Sequence, residues 1–295
     1  MIDFMILGAQ KAATSTLQAA LSADPDIYMP AGESPLFEEP EYSAGYWRRF
    51  GDPTKKAEIC GLKRPDNLCD ADIRERIVRD LPDAKFIVVL REPIGRAVSA
   101  YYHLVRHAHL PPVELNQGLN SSLAAFRRGE KSTSSNIIRY GCYGTALQSW
   151  QQSYSSDRFL ILSQEAVRRD PIGAINACRT HLGLPAGGRP ANDEPQSRNV
   201  GIYHPQLLRA AWFVSRLKTE VMPGGLRRKA RERFAPRVIG QVLGRGVDYL
   251  AARTRQRAAP LCAEIRAELT EIYSVDEAIL RQVAPPDAID WSFSA

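Results

Sequence analysis

The stretch "FMILGAQKAATSTL", Phe4 to Leu17, decides the fold. Its apolar run ends at Gly8 and predicts a buried strand, and apolar residues at helical spacing from Thr16 onward predict a helix. The turn between them holds one lysine, Lys11, among alanines and hydroxyl residues. Turns of this kind bind phosphate groups, although the G-x-x-x-x-G-K-[ST] order of an ATP-binding loop is absent.

The same alternation of strand and helix recurs along the chain. "KFIVVL" (85–90) precedes "PIGRAVSAYYHLV" (93–105), and "RFLILS" (158–163) precedes "PIGAINACRTHLG" (171–183). "IRERIVRDL" (73–81) adds another amphipathic helix. Continuous apolar strands between such helices predict an α/β protein with a parallel sheet covered on both faces. Stretches rich in Pro, Gly and Ser predict loops at residues 30–54, 111–122 and 185–206.

Composition narrows the class of protein. Of 295 residues, 44% are hydrophobic and 24% charged, which is typical of a globular protein with a sizeable core. Five scattered cysteines, never spaced C-x-x-C, argue against a disulfide framework and a structural zinc site. His103 and His107 lie at a spacing that can hold zinc, but no third ligand is evident, so we expect no metal. Without a signal peptide pattern or a long apolar run, we expect a soluble, cytoplasmic protein.

Charge is concentrated in residues 206–257. This segment has thirteen Lys and Arg against three acids, a local net charge of +10, whereas the whole chain carries +6. One interpretation is a solvated helical face, and another is a basic helical insert or lid that contacts an anionic partner or a membrane surface. Pro223, Gly224, Gly225 and Pro236 are expected to break the segment into short pieces. We do not expect a nucleic-acid partner.

Two turns carry the candidate binding residues, because ligands of open parallel sheets bind beyond the carboxyl ends of the strands. In the first turn, Lys11 and free helix N–H groups make an anion site. The small residues Gly8, Ala12 and Ala13 let the backbone approach a ligand there. The hydroxyl residues Thr14, Ser15 and Thr16 follow them. In the second turn, Arg91 ends a strand and Ser99 follows two helical turns later, a pair suited to a second phosphate. Together the two turns predict a ligand with two separated phosphate-like groups.

Both turns resemble motifs of the sulfotransferases that use 3′-phosphoadenosine-5′-phosphosulfate (PAPS). "GAQKAATSTL" (8–17) is similar to the 5′-phosphosulfate loop of that family. "VVLREPIGRAVSAYY" (88–102) is similar to its 3′-phosphate motif, R-x-P-x-x-R-x-x-S-x-Y. The matching residues are Arg91, Pro93, Arg96, Ser99 and Tyr101.

Further segments resemble the branch that includes glycosaminoglycan sulfotransferases. "DPDIYMPAGESPLFEEPEY" (24–42) resembles its "HPD…KE-P-H-F-F" segment, and we assign the matching acid to Glu39, with Glu38 as the neighbouring alternative. "GLKRPDNL" (61–68) is similar to G-x-K-[ST]-P-x-Y-L and places the lysine at Lys63, while residues 261–291 resemble the C-terminal helix and its closing tryptophan, Trp291. The chain departs from the pattern at three positions that border the acceptor in the family: Arg64, Asn67 and Glu41.

The resemblance implies a single sulfotransferase domain, residues 1–295, with a P-loop NTPase-like three-layer fold. It implies in-line transfer of a sulfuryl group from PAPS to a hydroxyl, or an amine, of a small-molecule, natural-product or carbohydrate acceptor. Glu39 would be the general base, and Lys11 and Lys63 would neutralise developing charge, without a metal. The implied PAPS-binding residues are Lys11, Ala12, Ala13, Thr14, Ser15, Thr16, Arg91 and Ser99.

Two other functions are weighed against this one. A phosphoryl-transfer enzyme would need lysine directly before Ser/Thr, but Lys11 precedes Ala12, and Arg91 stands where a magnesium-binding acid would follow a strand. A basic nucleotide-binding or membrane-surface module without catalysis would rest on residues 206–257 alone. The acceptor and the oligomeric state are not encoded in any pattern that we recognise.

Overall fold

A computed structural model describes residues 2–39, 42, 57–187, 201–221, 228–231, 234–254 and 257–293. The chain divides into two compact units. The first, the sheet unit, comprises residues 1–93, 142–198 and 272–295. The second, the helical unit, comprises residues 94–141 and 199–271. The prediction of a single domain over 1–295 stays a prediction.

In the described residues, the sheet unit contains a five-stranded parallel sheet with the order β2-β3-β1-β4-β5. The strands are β1 (Phe4–Gly8), β2 (Ile27–Tyr28), β3 (Ile59–Lys63), β4 (Lys85–Leu90) and β5 (Phe159–Ser163). In register, Phe4 of β1 lies opposite Gly61 of β3 on one side and Lys85 of β4 on the other. The carboxyl ends of β3, β1 and β4 are therefore neighbours.

Helices flank this sheet and complete the predicted P-loop-like three-layer α/β fold. They are α1 (Thr14–Leu21), α2 (Ala71–Asp80), α6 (Tyr143–Gln151), α7 (Gln164–Arg169) and α8 (Pro171–Leu182). Local chemistry sets their ends: the Asp70 side chain accepts from Ile73 N at the start of α2, and α8 begins with Pro171 and ends at Gly183, where φ is 89°. Such end signals explain why the helices predicted at 73–81 and 171–183 are confirmed.

The core of the sheet unit surrounds the fully buried Trp150 of α6. Its indole packs against Phe86 of β4, and Nε1 donates to Leu68 O at 2.9 Å. The N-terminus of α6 is closed by Asp276 of α11 (Ala263–Val283), whose carboxylate accepts from Gly144 N at 2.7 Å and Thr145 N at 2.9 Å. The predicted C-terminal helix therefore contributes directly to the sheet unit.

The helical unit contains α3 (from Ile94 of Pro93–Arg106), α4 (Leu115–Arg127), α5 (Thr133–Arg139), α9 (Pro205–Lys218) and α10 (Phe234–Arg253). The loop predicted at 111–122 is wrong, because Glu114 caps a helix there by accepting from the backbone N–H groups of Asn116 and Gln117.

Two residues of the R-x-x-S-x-Y motif stabilise this unit: buried Arg96 donates to Ile137 O, and Tyr101 donates to Val113 O at 2.7 Å.

In its described residues, the basic segment 206–257 is mainly helical, with one antiparallel pair of strands that the sequence analysis does not predict. The breaks expected at Pro223, Gly224 and Gly225 lie outside the described residues. β6 (Thr219–Val221) and β7 (Arg228–Ala230) pair antiparallel between α9 and α10. The break expected at Pro236 is wrong, because this proline lies in the first turn of α10, where its missing N–H has no partner to lose. Within the described residues, no helix has both the length and the apolar character needed to cross a bilayer.

Candidate active site

The two predicted turns meet at the carboxyl edge of the sheet. Ala9 N donates to Val89 O at 2.7 Å, which fastens the turn after β1 to β4. Arg91, directly after β4, donates from Nη1 to Lys11 O at 3.1 Å, and Gln164 of α7 donates to the same oxygen at 3.4 Å. The Arg91 carbonyl in turn accepts from the Tyr143 hydroxyl at 3.0 Å. The structure thus brings Lys11 and Arg91 together.

The backbone of the first turn is strained in a way that suits an anion. Lys11 and Ala13 adopt φ values of 69° and 65°, a left-handed conformation that costs a non-glycine residue about 1–2 kcal/mol. Ala13 precedes α1 without any side chain to cap its N–H groups. At Gly8 a Cβ would lie 2.7 Å from Leu68 Cδ2, so only glycine fits there. Concave turns that lead into uncapped helices bind phosphate and sulfate groups through backbone N–H donors.

Lys63 at the end of β3 points its ammonium toward the same turn. Its side chain is only 2% exposed, and Nζ donates to Ser15 Oγ at 2.7 Å. Glu33 Oε1 lies 3.5 Å from Nζ on the other side. Burial lowers the pKa of Lys63, and the nearby Glu33 carboxylate opposes that shift. A buried cation therefore stands between a helix-start hydroxyl and a carboxylate that is partly open to solvent.

Arg64 gathers three carboxylates beside Lys63. Its Nε and Nη2 bind both oxygens of Glu38, the second at 2.8 Å, and its Nη1 lies 2.9 Å from Glu33 Oε2. Asp66 Oδ2 lies 3.4 Å from Nη2, while Asp66 Oδ1 accepts from Gln10 of the first turn at 3.0 Å. Burial raises the pKa of Asp66 to about 6, and Arg64 opposes the rise. The cluster links the acidic residues to the phosphate-binding turn.

A comparison with protein families agrees with this geometry. The model of the sulfotransferase domain matches residues 1–200. The chain belongs to the sulfotransferase domain family. The match includes both turns, β3 and the charged cluster around Arg64, so the site lies within the part that defines the family.

Individual relatives support membership of the sulfotransferase family. The chain is 30% identical over 185 residues to human heparan sulfate glucosamine 3-O-sulfotransferase 6, a match that covers 61% of this chain and 52% of the relative. It is 28% identical over 194 residues to human bifunctional heparan sulfate N-deacetylase/N-sulfotransferase 2, covering 61% of this chain and 22% of the relative. The chain thus spans about half the length of the first relative and less of the second.

A solved structure shows the same fold. The sulfotransferase from Alicyclobacillus acidocaldarius superposes with a TM-score of 0.64 at 20% identity, covering 96% of this chain and 95% of the other. This likeness extends over nearly the whole length of both chains and shows that they share a fold.

Three glutamates near the site, Glu33, Glu38 and Glu39, have different contacts in the structure, and the sequence analysis considered only Glu38 and Glu39 as the base. Glu38 is held by both nitrogens of Arg64, as described above. Glu39, the predicted base, is half-buried after the 3-10 turn Leu36–Glu38, and its carbonyl accepts from Arg76 Nη1 at 3.2 Å and Tyr42 N at 3.0 Å. Glu33, which we did not predict, contacts the Lys63 ammonium. The structure does not test which glutamate removes a proton, and Glu41, another predicted departure, lies outside the described residues.

A sequence signal for Glu33 does exist in the sulfotransferase motif. When Leu36 and Phe37 are matched to the F-F of "HPD…KE-P-H-F-F", the glutamate of that motif falls on Glu33, four residues before Phe37. This register also places Asp24-Pro25-Asp26 on the H-P-D of the motif. The Glu38–Glu39 pair, which is followed by Pro40, led to an assignment five to six residues downstream of Glu33.

The remaining predicted residues have the following places. Thr14 is buried at the start of α1, whereas Ala13, Ser15 and Thr16 are partly exposed. Ser99 is partly exposed in α3, eight residues after Arg91. The rings of His103 and His107 lie 4.5 Å apart. In the part of the chain that the structure describes, no three His, Cys, Asp or Glu residues form a cluster suited to a metal ion.

Proposed function

We propose that this sulfotransferase transfers the sulfuryl group of PAPS to a hydroxyl or amine of an acceptor. One observation carries the proposal: three adjacent strand ends present Lys11, Lys63 and Arg91 around one uncapped helix start. The hydrogen bonds Lys63–Ser15 and Arg91–Lys11 O fix that arrangement. Sulfuryl transfer from a bisphosphorylated donor needs cations and N–H donors at two separated anionic groups.

The donor is proposed to bind with its 5′ end in the first turn and its 3′-phosphate beside the second. The N–H groups at the start of α1, with Lys11 and the hydroxyls of Ser15 and Thr16, would hold the phosphosulfate. Arg91 would bind the 3′-phosphate through its planar guanidinium, with Ser99 as a further donor. A second phosphate at this position would distinguish PAPS from ATP.

The chemical step needs a base on one side of sulfur and positive charge on the other. The acceptor oxygen or nitrogen forms a bond to sulfur as its proton passes to a carboxylate. The bond from sulfur to the bridging oxygen breaks, and its electron pair leaves on the 5′-phosphate of adenosine 3′,5′-bisphosphate. Lys63, held on Ser15, would neutralise that charge together with Lys11.

The contacts favour Glu33 over Glu39 as the base. Glu33 lies 3.5 Å from Lys63, the cation that we place at the leaving oxygen, and its side chain remains 40% exposed, so that an acceptor can reach it. Arg64 binds Glu33 through one nitrogen but Glu38 through two, and the Glu38 side chain is only 15% exposed. Glu39 stays the competing candidate, and the two glutamates can be compared directly by substitution.

Arg64 is proposed as a positioning residue for this base. It stands where the family pattern has Ser or Thr, and it holds Glu33 at 2.9 Å while its remaining nitrogens are taken by Glu38. Arg64 contacts all three carboxylates of the cluster, those of Glu33, Glu38 and Asp66, beside the phosphate-binding turn. This departure from the family pattern would therefore act on the acceptor side of the reaction.

A carbohydrate is the acceptor class that the relatives favour. The names of the curated relatives describe sulfation of heparan sulfate glucosamine, one at oxygen and one at nitrogen. We propose a sugar hydroxyl or amine as the first class to screen, followed by small natural products. Incubation with PAPS and mass-spectrometric detection of a gain of about 80 daltons, the mass of one SO₃ group, identifies the product.

Donor choice tests the proposed function. The purified chain is incubated with an acceptor pool and either ³⁵S-labelled PAPS or γ-³²P-labelled ATP. We expect label to move from PAPS only, and transfer by the Lys63→Ala variant to be at least about a hundredfold slower. Transfer of phosphate from ATP would contradict the proposal and favour a kinase, while binding of PAPS without transfer to any acceptor class would favour a noncatalytic nucleotide-binding module.

A further inference from the structure

Helix α10 has one face packed on α9 and another left open. Its packed face is built from small residues, among them Gly240, Gly244 and Ala251, all shielded from solvent. A Cβ at Gly240 would lie 2.8 Å from Lys218 Cγ of α9, and one at Gly244 would lie 2.4 Å from Lys218 Nζ. Glycines at these two positions allow the helices to approach closely, while several large apolar side chains of α10 are exposed.

Those large apolar side chains form one exposed row, which we call the α10 stripe. Its members lie at helical spacings of three, four, ten and eleven residues from the first, and each is between 47% and 64% exposed. The stripe consists of Ile239, Val242, Leu243, Tyr249 and Leu250. On the neighbouring helix α9, Phe213 is also exposed. Contiguous apolar rows of this size on a surface mark interaction sites rather than ordinary solvent-facing helix.

The surroundings of the α10 stripe are basic. α9 and α10 together contain six Lys and Arg residues and one acid, Asp248, which pairs with Arg106 at 2.8 Å. Exposed guanidinium groups accompany the apolar residues on both helices: Arg209, Arg216, Arg245 and Arg253. The Arg253 guanidinium lies 4.4 Å from the centre of the Tyr249 ring, within the stripe itself.

This combination selects one kind of occupant. A second copy of the chain would bring two basic surfaces face to face, which electrostatic repulsion disfavours. A helix with an apolar row and flanking arginines matches the surface of an anionic bilayer, where apolar side chains enter the acyl boundary and cations meet lipid headgroups. Aromatic and arginine side chains such as Tyr249 and Arg253 suit the boundary between the lipid headgroups and the acyl chains.

We propose that the α10 stripe docks this protein on an anionic lipid surface, with α10 lying in the plane of the interface. The inference goes beyond sulfuryl transfer and does not depend on it, because it rests on α9 and α10 of the helical unit alone. Docking would hold the enzyme at a membrane surface, where acceptors linked to lipid are accessible.

Vesicle cosedimentation with matched variants tests the docking. Vesicles of phosphatidylcholine containing about one third phosphatidylglycerol are compared with pure phosphatidylcholine vesicles. The stripe variant carries Leu243→Ser and Leu250→Ser. The control carries Ile172→Ser and Val275→Ser, two apolar residues that are 53% and 66% exposed on α8 and α11 and belong to the sheet unit. Thermal unfolding confirms that both variants fold.

We expect the wild type and the control variant to bind anionic vesicles, and the stripe variant to bind at least about tenfold more weakly. Neutral vesicles and high salt should weaken wild-type binding as well. Equal binding by the stripe variant, or no binding of the wild type to anionic vesicles, overturns the proposal. A dimer seen by light scattering that the stripe variant dissociates, without vesicle binding, would assign the stripe to a second copy instead.

Discussion

The ends of β1 and β3 lie side by side in the sheet, yet they are built in opposite ways. The turn after β1 is made of backbone: small residues, two left-handed conformations and an uncapped helix start, with Lys11 as its one charged residue between Gly8 and Leu17. The end of β3 is made of side-chain charges, with Lys63 and Arg64 facing Glu33. Backbone sites recognise a shape common to many donors, whereas clustered charges can tune a particular proton transfer. Under the proposed function, the turn after β1 would serve donor binding and the end of β3 would serve acceptor chemistry.

The largest expected effect is a loss of kcat in a variant that changes only the proposed acceptor side. Glu33→Gln should lower kcat roughly 10²- to 10⁴-fold, the usual contribution of a general base, because the amide cannot accept the proton. Binding of adenosine 3′,5′-bisphosphate should remain within about threefold of wild type, a factor that corresponds to less than 1 kcal/mol. Steady-state kinetics and calorimetry make the two measurements.

Glu39→Gln is the matched control for that prediction. It should leave kcat within a few-fold of wild type if Glu33 is the base. The reverse pattern, with Glu39→Gln inactive and Glu33→Gln active, would restore the base predicted from sequence and remove Glu33 from the chemical step.

Lys63 belongs to both sides of the comparison, because it bonds to Ser15 of the donor turn and faces Glu33. Lys63→Ala should lower kcat roughly 10²- to 10³-fold, since a hydrogen-bond donor aimed at developing charge is lost.

Burial lowers the pKa of Lys63, so its protonated form is lost at a lower pH than for an exposed lysine. Wild-type activity should then fall on the alkaline side below the ordinary lysine range, and Lys63→Ala should lack that limb. A wild-type profile that is flat up to that range would contradict the role.

Substitutions of Arg91 test the proposed donor-binding side of the comparison. Arg91→Ala should weaken binding of adenosine 3′,5′-bisphosphate roughly 10- to 100-fold, as expected for losing charged hydrogen bonds to one phosphate. Arg91→Lys should recover only part of the affinity, because ammonium cannot make the planar bidentate contact. Binding of adenosine 5′-phosphosulfate, which lacks the 3′-phosphate, should change much less; equal losses for both ligands would show that Arg91 only stabilises the turn through Lys11 O.

The smallest expected effect concerns Arg64. Arg64→Ser restores the residue type of the family pattern and should change kcat by about tenfold with little change in the KM for PAPS, because Arg64 acts through Glu33. The pKa of Asp66, which burial raises and Arg64 lowers, should rise further in this variant, so any acid limb that reports Asp66 should move to higher pH. A change confined to the melting temperature, with kinetics and pH profile unaltered, would show that Arg64 is structural only.

The same contrast explains what sequence could predict. The turn after β1, the strands β4 and β5 and the helices that follow them depend on local periodicity and end signals, and these predictions are confirmed. The sequence analysis did not predict β2 and β3. β2 has only two residues, and β3 contains a glycine and a lysine instead of a continuous apolar run. The contacts of Lys63 with Ser15 and of Arg64 with Glu33 join residues 48 and 31 positions apart and exist only in the folded chain. The motif spacing points to Glu33, but only the fold shows its contacts with Lys63 and Arg64. Likewise, only the packing of α10 on α9 shows which apolar residues stay exposed.

The central claim, that this sheet edge is built for a nucleotide with two separated phosphates, is tested most directly by calorimetric titration of the wild type. Adenosine 3′,5′-bisphosphate and ADP carry two phosphates each but place them differently. The account predicts that the 3′,5′-bisphosphate binds at least about tenfold more tightly, without added metal, because Arg91 contacts only a 3′-phosphate. Equal affinity for both nucleotides, or tighter binding of ADP, would contradict the claim.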